Sequence, residues 1–218
     1  DLIYARQDQT ADGWKEELGR ALEMSPSHLS LYQLTIEDGT AFGDRFARGR
    51  LPGLPDEDLG ADLWEITQEM TEAAGLPGYE TSNHAIPGAE ARHNLIYWQS
   101  GDWLGIGPGA HGRLTMDGVR WATETPRTPG GWLAAVEAGA ARIEQRKILT
   151  KREVLEERLM MGLRLRDGID LGDDYHLIYN NINKLRKLGM LEKVDGTLQL
   201  TPAGRPLLNA VIRDLLTD

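Results

Sequence analysis

Apolar residues at the start of the chain alternate between strand-like and helix-like spacing. The run DLIY is followed by a polar turn and then by a segment in which Trp14, Leu18 and Leu22 recur at helical spacing. Thr10 precedes this segment and is a suitable N-cap residue. The run HLSLYQLTI follows with the composition of a strand. The order strand, helix, strand predicts a βαβ unit.

A second helical pattern and a further strand continue this order. A linker rich in Gly and Pro, EDGTAFGDRFARGRLPGLPDED, leads to a predicted helix in EDLGADLWEITQEMTEAAG, which Gly75 is suited to end. GYETSNHAI can form the next strand, and its polar residues Glu80 and Asn83 either face a barrel mouth or form a structural turn. Repeated βα units predict a parallel sheet with helices outside and ligands at the carboxyl ends of its strands.

The C-terminal part of the chain has a different order of elements. Residues 153–165 and 175–188 have helical patterns, and LGMLEKVDGTLQLTPAGRPLLNAVIRDLL predicts two short strands around a DG turn and a final helix. Helices followed by a β-hairpin are typical of a small winged-helix-like α+β domain. We therefore predict two domains, residues 1–148 and residues 149–218, with the junction in residues 140–152.

Composition excludes several kinds of chemistry. The 218 residues include no Cys, which excludes disulfides, thiolate nucleophiles and Cys-held iron–sulfur clusters within this chain, and we predict no metal site. The net charge of −10 disfavours nonspecific nucleic-acid binding. No run approaches the roughly 18 apolar residues of a membrane helix, and no signal peptide is evident, so we expect a cytoplasmic protein without a membrane span. Because the chain begins with Asp rather than Met, we expect a fragment.

The stretch ARHNLIYWQSGDWLGIGPGAHGR, residues 91–113, concentrates the candidate chemistry. A strand or a helix over RHNLIYW would group His93 with Tyr97, and Asn94 with Trp98. The imidazole of His is a capable axial ligand of heme iron, and aromatic rings can stack on a porphyrin. The alternative is a structural His bonded to a backbone carbonyl, with the aromatic residues filling the core.

The glycines of GIGPGAHG form a second candidate feature. The run matches the dinucleotide fingerprint G-x-G-x-x-A, but a Pro interrupts it and no helical pattern follows, so a dinucleotide site is not predicted. We expect instead that the backbone at these glycines passes close to a bulky ligand or to another strand. We assign the backbone of a ligand pocket in this run to Gly105, Gly107, Gly109 and His111.

Four motifs in order, DLIYARQDQT, HLSLYQLTIEDGTAF, YETSNHAIPGAEARHNLIYW and DWLGIGPGAHGR, resemble the radical-SAM family of oxygen-independent coproporphyrinogen III oxidase-like proteins, and within it the heme chaperone branch. The tail from LTKREVLEERLMMGLRLRDGIDL to LQLTPAG is similar to that family's C-terminal domain. The resemblance spans essentially the whole chain. It implies an α/β fold, the C-terminal part of a partial (β/α) radical-SAM barrel followed by the winged-helix-like domain.

The resemblance also implies cofactors. The family binds S-adenosylmethionine across the strand ends and holds a [4Fe–4S] cluster by a three-Cys motif, which this chain lacks, in agreement with a fragment. Asp1 matches the Asp of the family's DLIYG strand, which contacts S-adenosylmethionine, and Gln33 is expected on the next strand, facing the same mouth. The turn ARQD departs from the family's Gly/Pro-containing turn.

His93, Asn94, Tyr97 and Trp98 match the HNxxYW motif that the family's chaperone branch associates with heme binding. The coproporphyrinogen-converting branch lacks that motif, so the resemblance implies a chaperone that binds heme or another porphyrin and transfers heme to a recipient protein. Two alternatives stay open: oxidative decarboxylation of coproporphyrinogen III by a dehydrogenase, and a winged-helix interaction module. The balanced charge around NNINKLRKLG argues against nucleic acid as a partner. No catalytic residue is assigned to this chain, and the parent's status as an enzyme stays open.

Overall fold

The computed structural model describes residues 1–139 and 144–217. These residues form two compact units, Asp1–Ala91 and Arg92–Asp218. Within the described ranges, no helix combines the length and the apolar character needed to cross a membrane.

The first unit is a three-stranded sheet accompanied by helices. Its elements are β1 (Leu2–Tyr4), α1 (Ala11–Glu23), β2 (His28–Gln33), α2 (Ala41–Ala47), α3 (Glu57–Ala73) and β3 (Asn83–Ala85), and the strand order is β1-β2-β3. Strands β1 and β2 are parallel, which confirms the predicted βαβ unit.

Strand β3 runs antiparallel to β2, so the prediction of an all-parallel sheet is wrong for this strand. The cause is a tight reversal of the chain just before β3. The N–H of Tyr79 donates to the carbonyl of Asn83 over 3.1 Å, and Gly78 forms an antiparallel bridge with His84. Hydrophobic periodicity carries no information on strand direction, which is why the sequence pattern did not reveal it.

Helix caps set most boundaries in this unit. The side chain of Thr10 accepts from the N–H of Gly13 at the start of α1, as predicted, and Gly75 follows α3 with a φ of +77°. The stretch predicted as a linker contains α2, which Thr40 caps in the same way by accepting from Gly43. The helices and sheet share a buried core: Tyr4, Ala5, Trp14, Leu18, Leu29, Leu31, Leu63 and Leu76.

The second unit contains a three-stranded antiparallel sheet, a β-hairpin and helices. Its elements are α4 (Arg92–Trp98), β4 (His111–Met116), β5 (Val119–Glu124), α5 (Pro129–Glu137), β6 (Gln145–Ile148), α6 (Lys151–Gly162), α7 (Tyr179–Lys187), β7 (Leu191–Val194), β8 (Thr197–Leu200) and α8 (Leu208–Leu216). The sheet order is β4-β5-β6, and β7 pairs with β8 around the DG turn.

The predicted helices and hairpin of the C-terminal region are present. Helix α6 begins with a capping box in which Thr150 and Glu153 satisfy each other's backbone N–H groups. A 3₁₀ segment, Gly172–Ile178, occupies the start of the second predicted helix, and α7 follows it. The predicted domain junction lies partly in residues 140–143, outside the described residues, and stays a prediction.

Candidate functional site

The HNxxYW motif lies on helix α4 in the second unit. His93 and Tyr97 are one helical turn apart, and their rings meet edge to face with centroids 4.9 Å apart and planes at 86°. The side chain of His93 is exposed. The helix therefore exposes the imidazole of His93 at the surface, and the ring of Tyr97 restrains it by an edge-to-face contact.

A third ring extends this arrangement beyond the motif. The ring of Tyr97 meets that of Trp103 with centroids 4.8 Å apart and planes at 63°. We call His93, Tyr97 and Trp103 the ring ladder. The guanidinium groups of Arg113 and Arg120 lie 5.8 Å and 5.9 Å from the Trp103 ring centroid. Trp103 was not among the predicted site residues, because its contact with Tyr97 depends on the path of the loop after α4.

Both cations beside Trp103 are held by carboxylates. The Nε of Arg113 donates to both oxygens of Glu157 on α6, over 2.9 Å and 3.0 Å. The Nη1 of Arg120 donates to Asp102 over 3.2 Å. The backbone N–H of Thr115 also donates to Asp102, and it is the largest cause of the lowered pKa of that carboxyl. The two guanidinium groups are therefore parts of the scaffold.

The second residue pair of the motif, Asn94 and Trp98, is partly buried. The guanidinium of Arg164 lies 5.6 Å from the Trp98 ring centroid. The indole nitrogen of Trp98 is buried and has no hydrogen-bond partner among the described residues. An unpaired buried donor costs on the order of 1–3 kcal/mol.

The glycine-rich run folds back on its own chain. A Cβ at Gly105 would lie 2.6 Å from the backbone of His111, and Gly107 and Gly109 have φ values of +104° and +69°. The N–H of Gly109 donates to the carbonyl of Pro126 over 2.8 Å. Of the two expectations for these glycines, the structure therefore shows close approach to another segment of the chain. Strand β4, rather than a helix, follows the run, in keeping with the absence of a predicted dinucleotide site.

His111 begins strand β4, and its side chain is exposed. It lines an open cavity of about 460 Å³ between the three-stranded sheet and α6, together with Arg113, Thr123 and Met160. Cavities that bind small molecules usually measure about 300–1,000 Å³. Arg113 belongs to both the cavity wall and the surroundings of the ring ladder, so the two features adjoin.

Asp1 and Gln33 lie in the first unit, where Asp1 directly precedes β1 and Gln33 is the last residue of β2. Gln33 pairs with Tyr4, whose side chain is in the core under the helices, and the Gln33 amide lies 3.2 Å from the Cβ position of Gly60 on α3. Asp1 alternates with Leu2 and therefore shares the other face with Ile3. Alternation therefore assigns the two side chains to different faces of the sheet, and the expectation that both face the same mouth at the strand ends stays a prediction.

The polar segment before β3 forms a structural turn. The carboxyl of Glu80 is buried and accepts from the side chain of Asn83 and from backbone N–H groups of the same turn, while burial raises its pKa. The Oδ1 of Asn83 and both ring nitrogens of His84 are buried without a hydrogen-bond partner among the described residues. The hydrogen bonds of Glu80 stabilise this turn, while the unpaired atoms of Asn83 and His84 lower the stability of the first unit.

Comparisons with known proteins agree with this architecture. The family model described as the HemN C-terminal domain matches residues 149–207. The chain is 36% identical over 216 residues to the heme chaperone HemW of Mycobacterium tuberculosis, an alignment that covers 99% of this chain and 54% of that protein. It is 44% identical over 134 residues to the heme chaperone HemW of Escherichia coli, covering 61% and 34%.

The chain is also similar in sequence to a mouse protein and in fold to a solved structure. The chain is 39% identical over 173 residues to mouse radical S-adenosyl methionine domain-containing protein 1, mitochondrial, covering 78% of this chain and 39% of that protein. The structure of coproporphyrinogen III oxidase (HemN) from Escherichia coli matches all of this chain and 54% of that chain, with a TM-score of 0.73 and 18% identity.

The predicted resemblance to the radical-SAM, coproporphyrinogen III oxidase-like family is confirmed over 99% of this chain, and so is the predicted fold class. Within the family, it is similar to proteins named heme chaperone HemW. It spans about half the length of the M. tuberculosis relative and of the HemN chain. The family implies S-adenosylmethionine and a [4Fe–4S] cluster in a complete protein. The residues present here do not fit the cluster, since a chain without Cys has no thiolate to offer.

Proposed function

We propose that this chain is the heme-holding portion of a heme chaperone, which binds heme at α4 and passes it to a recipient protein. The observation that carries the proposal is the exposed imidazole of His93, supported edge to face by Tyr97. A neutral imidazole nitrogen is a strong axial ligand of heme iron, and it acts only where the iron can reach it. The names of the sequence relatives support the same function.

The other motif residues have supporting roles in this proposal. Tyr97 orients the imidazole, and its partly exposed ring borders the same surface. The unpaired indole N–H of Trp98 is a donor without a protein acceptor among the described residues, and Asn94 lies one turn before it. Gly105, Gly107 and Gly109 shape the adjoining loop, and His111 borders the cavity beside it.

The cofactors of the complete protein have a weaker basis in this chain. Asp1 and Gln33 stay proposals as contacts of S-adenosylmethionine; Asp1 directly precedes β1, and Gln33 ends β2. The recipient protein, the absence of nucleic acid from the partners and the cytoplasmic location also stay predictions.

Decarboxylation of coproporphyrinogen III is the second candidate function. The match to the Escherichia coli oxidase favours it, but an identity of 18% carries only the fold. The chaperone proposal has the better support because the motif leaves the imidazole of His93 exposed and in contact with the Tyr97 ring, which the fold alone does not require. The alternative of a winged-helix interaction module rests on the β7–β8 hairpin alone.

Heme titration of the whole chain, followed by the Soret absorption band, tests the proposal. We expect His93→Ala to weaken binding at least about tenfold, because it removes the iron ligand. His176→Ala is the matched control, since His176 is also an exposed His of the second unit but bonds to the backbone of Asp173. Parent-like binding by His93→Ala would show that this imidazole is not the ligand.

A further inference from the structure

We infer that Trp103 is a positioning residue that fixes the orientation of the His93 imidazole for heme. This inference rests on the proposed function and adds a residue that lies outside the HNxxYW motif. Trp103 occupies the inner end of the ring ladder, and His93 occupies the exposed end.

Trp103 can affect the orientation of the His93 imidazole because each ring of the ladder is in contact with the next. Aromatic pairs prefer edge-to-face contacts with centroids about 4.5–7 Å apart. The His93–Tyr97 and Tyr97–Trp103 pairs, at 4.9 Å and 4.8 Å, both meet this condition. Tyr97 is thus in contact with a ring on each side. If Trp103 is removed, Tyr97 loses one of its two ring contacts, and the support behind the imidazole loosens.

Trp103 itself is fixed by several independent contacts. Its indole N–H donates to the carbonyl of His111 over 3.1 Å. Its backbone exchanges hydrogen bonds with Arg113 in both directions, over 2.8 Å and 2.9 Å. The guanidinium groups of Arg113 and Arg120 lie beside its ring, and Glu157 and Asp102 hold them there. A ring restrained in this way is a rigid end point for the ladder.

The role of Trp103 is therefore indirect. The iron ligand is the imidazole of His93, and Trp103 acts on it through Tyr97. A positioning role predicts two linked effects of losing Trp103: weaker heme binding, and a mixture of iron coordination states in place of a single one. A residue that only stabilises the fold would change the melting temperature without changing the coordination of the bound iron.

The test compares Trp103→Leu with the parent chain, by hemin titration and by electron paramagnetic resonance of the bound ferric heme. We expect Trp103→Leu to bind about three- to tenfold more weakly, the range of one aromatic pair, and to show a broadened or mixed spectrum. Trp103→Phe keeps a ring for Tyr97, and we expect it to restore the parent spectrum and most of the affinity. Trp132→Leu, on α5, is the control for loss of a Trp outside the ladder.

The outcomes separate this inference from the proposed function. If Trp103→Leu matches the parent in affinity and spectrum while His93→Ala is defective, Trp103 does not position the ligand and the proposed function stands. If His93→Ala binds heme normally, the proposed function fails first. Thermal melting followed by circular dichroism checks each variant. If Trp103→Leu does not fold, Trp103→Met takes its place, because the unbranched, flexible Met side chain adapts better to the vacated space without supplying a ring, and the same two measurements decide.

Discussion

His84 in the first unit and His93 in the second lie in opposite environments. In the first unit, Glu80 and His84 lie inside the fold with exposed fractions of 4% and 1%, and His84 lacks hydrogen-bond partners among the described residues. In the second unit, His93 is at the surface. Arg113 and Arg120, which lie beside Trp103, are paired with carboxylates. Buried unpaired groups lower stability, while an exposed imidazole is free to bind a ligand. We therefore expect pH to act on the stability of the first unit and substitutions near α4 to act on binding by the second.

The largest expected effect concerns His84. Burial lowers the pKa of His84 from 6.5 to about 4, with a further lowering from His28 and an opposing effect of Glu72. Between these pH values the unfolded chain binds more protons than the folded one. The first unit should lose stability as the pH falls from 6.5 to 4, by up to about 3 kcal/mol, and keep it above pH 6.5.

Hydrogen exchange of the α1 and α3 amides at pH 4.5 and pH 7 measures this loss. His84→Leu should flatten the pH dependence, because the titrating group is gone. Glu80→Gln should have the opposite effect, since the raised pKa of Glu80 makes the folded state bind more protons as the pH falls. An unchanged pH dependence in His84→Leu would contradict the assignment of the buried imidazole as its source.

A smaller effect is expected at Gly105. Alanine there places a Cβ 2.6 Å from the backbone of His111, which is too close without a shift of the chain. The shift should cost about 1–3 kcal/mol of stability and disturb the hydrogen bond from Trp103 to His111, so heme binding should also weaken. Gly130→Ala is the matched control, because no atom lies within 4 Å of its Cβ position. Urea unfolding and heme titration measure both effects, and a Gly105→Ala chain as stable as Gly130→Ala would overturn the clash argument.

The sequence predicted the parts of this comparison that depend on local spacing. Helix α1 and its Thr10 cap, the end of α3 at Gly75 and the pairing of His93 with Tyr97 follow from residues within one or two turns of each other. Helix α2 was missed because its seven residues lie in a stretch where Gly and Pro favour a loop, and the signal in that stretch was the cap at Thr40.

Features that depend on the path of a loop could not be predicted in this way. The direction of β3 follows from the reversal at residues 78–84, and the Tyr97–Trp103 contact from residues 99–102. The placement of Asp1 and Gln33 at one mouth comes from the resemblance alone and stays a prediction, since β1 begins only at Leu2. The sequence shows only that Trp103 is an aromatic residue close to the motif along the chain. That closeness does not predict the contact between its ring and Tyr97.

The smallest expected effect is at the ion pair that joins Arg113 to α6. Glu157→Gln removes the charge but keeps one oxygen that can accept from the guanidinium, and both side chains are about one-fifth exposed, at 18% and 20%. Solvent-exposed ion pairs contribute about 0–1 kcal/mol, and salt weakens them; this pair is mostly buried and bidentate, so its contribution to stability lies at or above the upper end of that range. We expect a change in heme affinity of less than about twofold, because Arg120 and the backbone still hold Trp103. Titration at two salt concentrations measures it. A loss as large as that of Trp103→Leu would show that the Arg113–Glu157 pair, rather than the ring contacts, carries the support of the ladder.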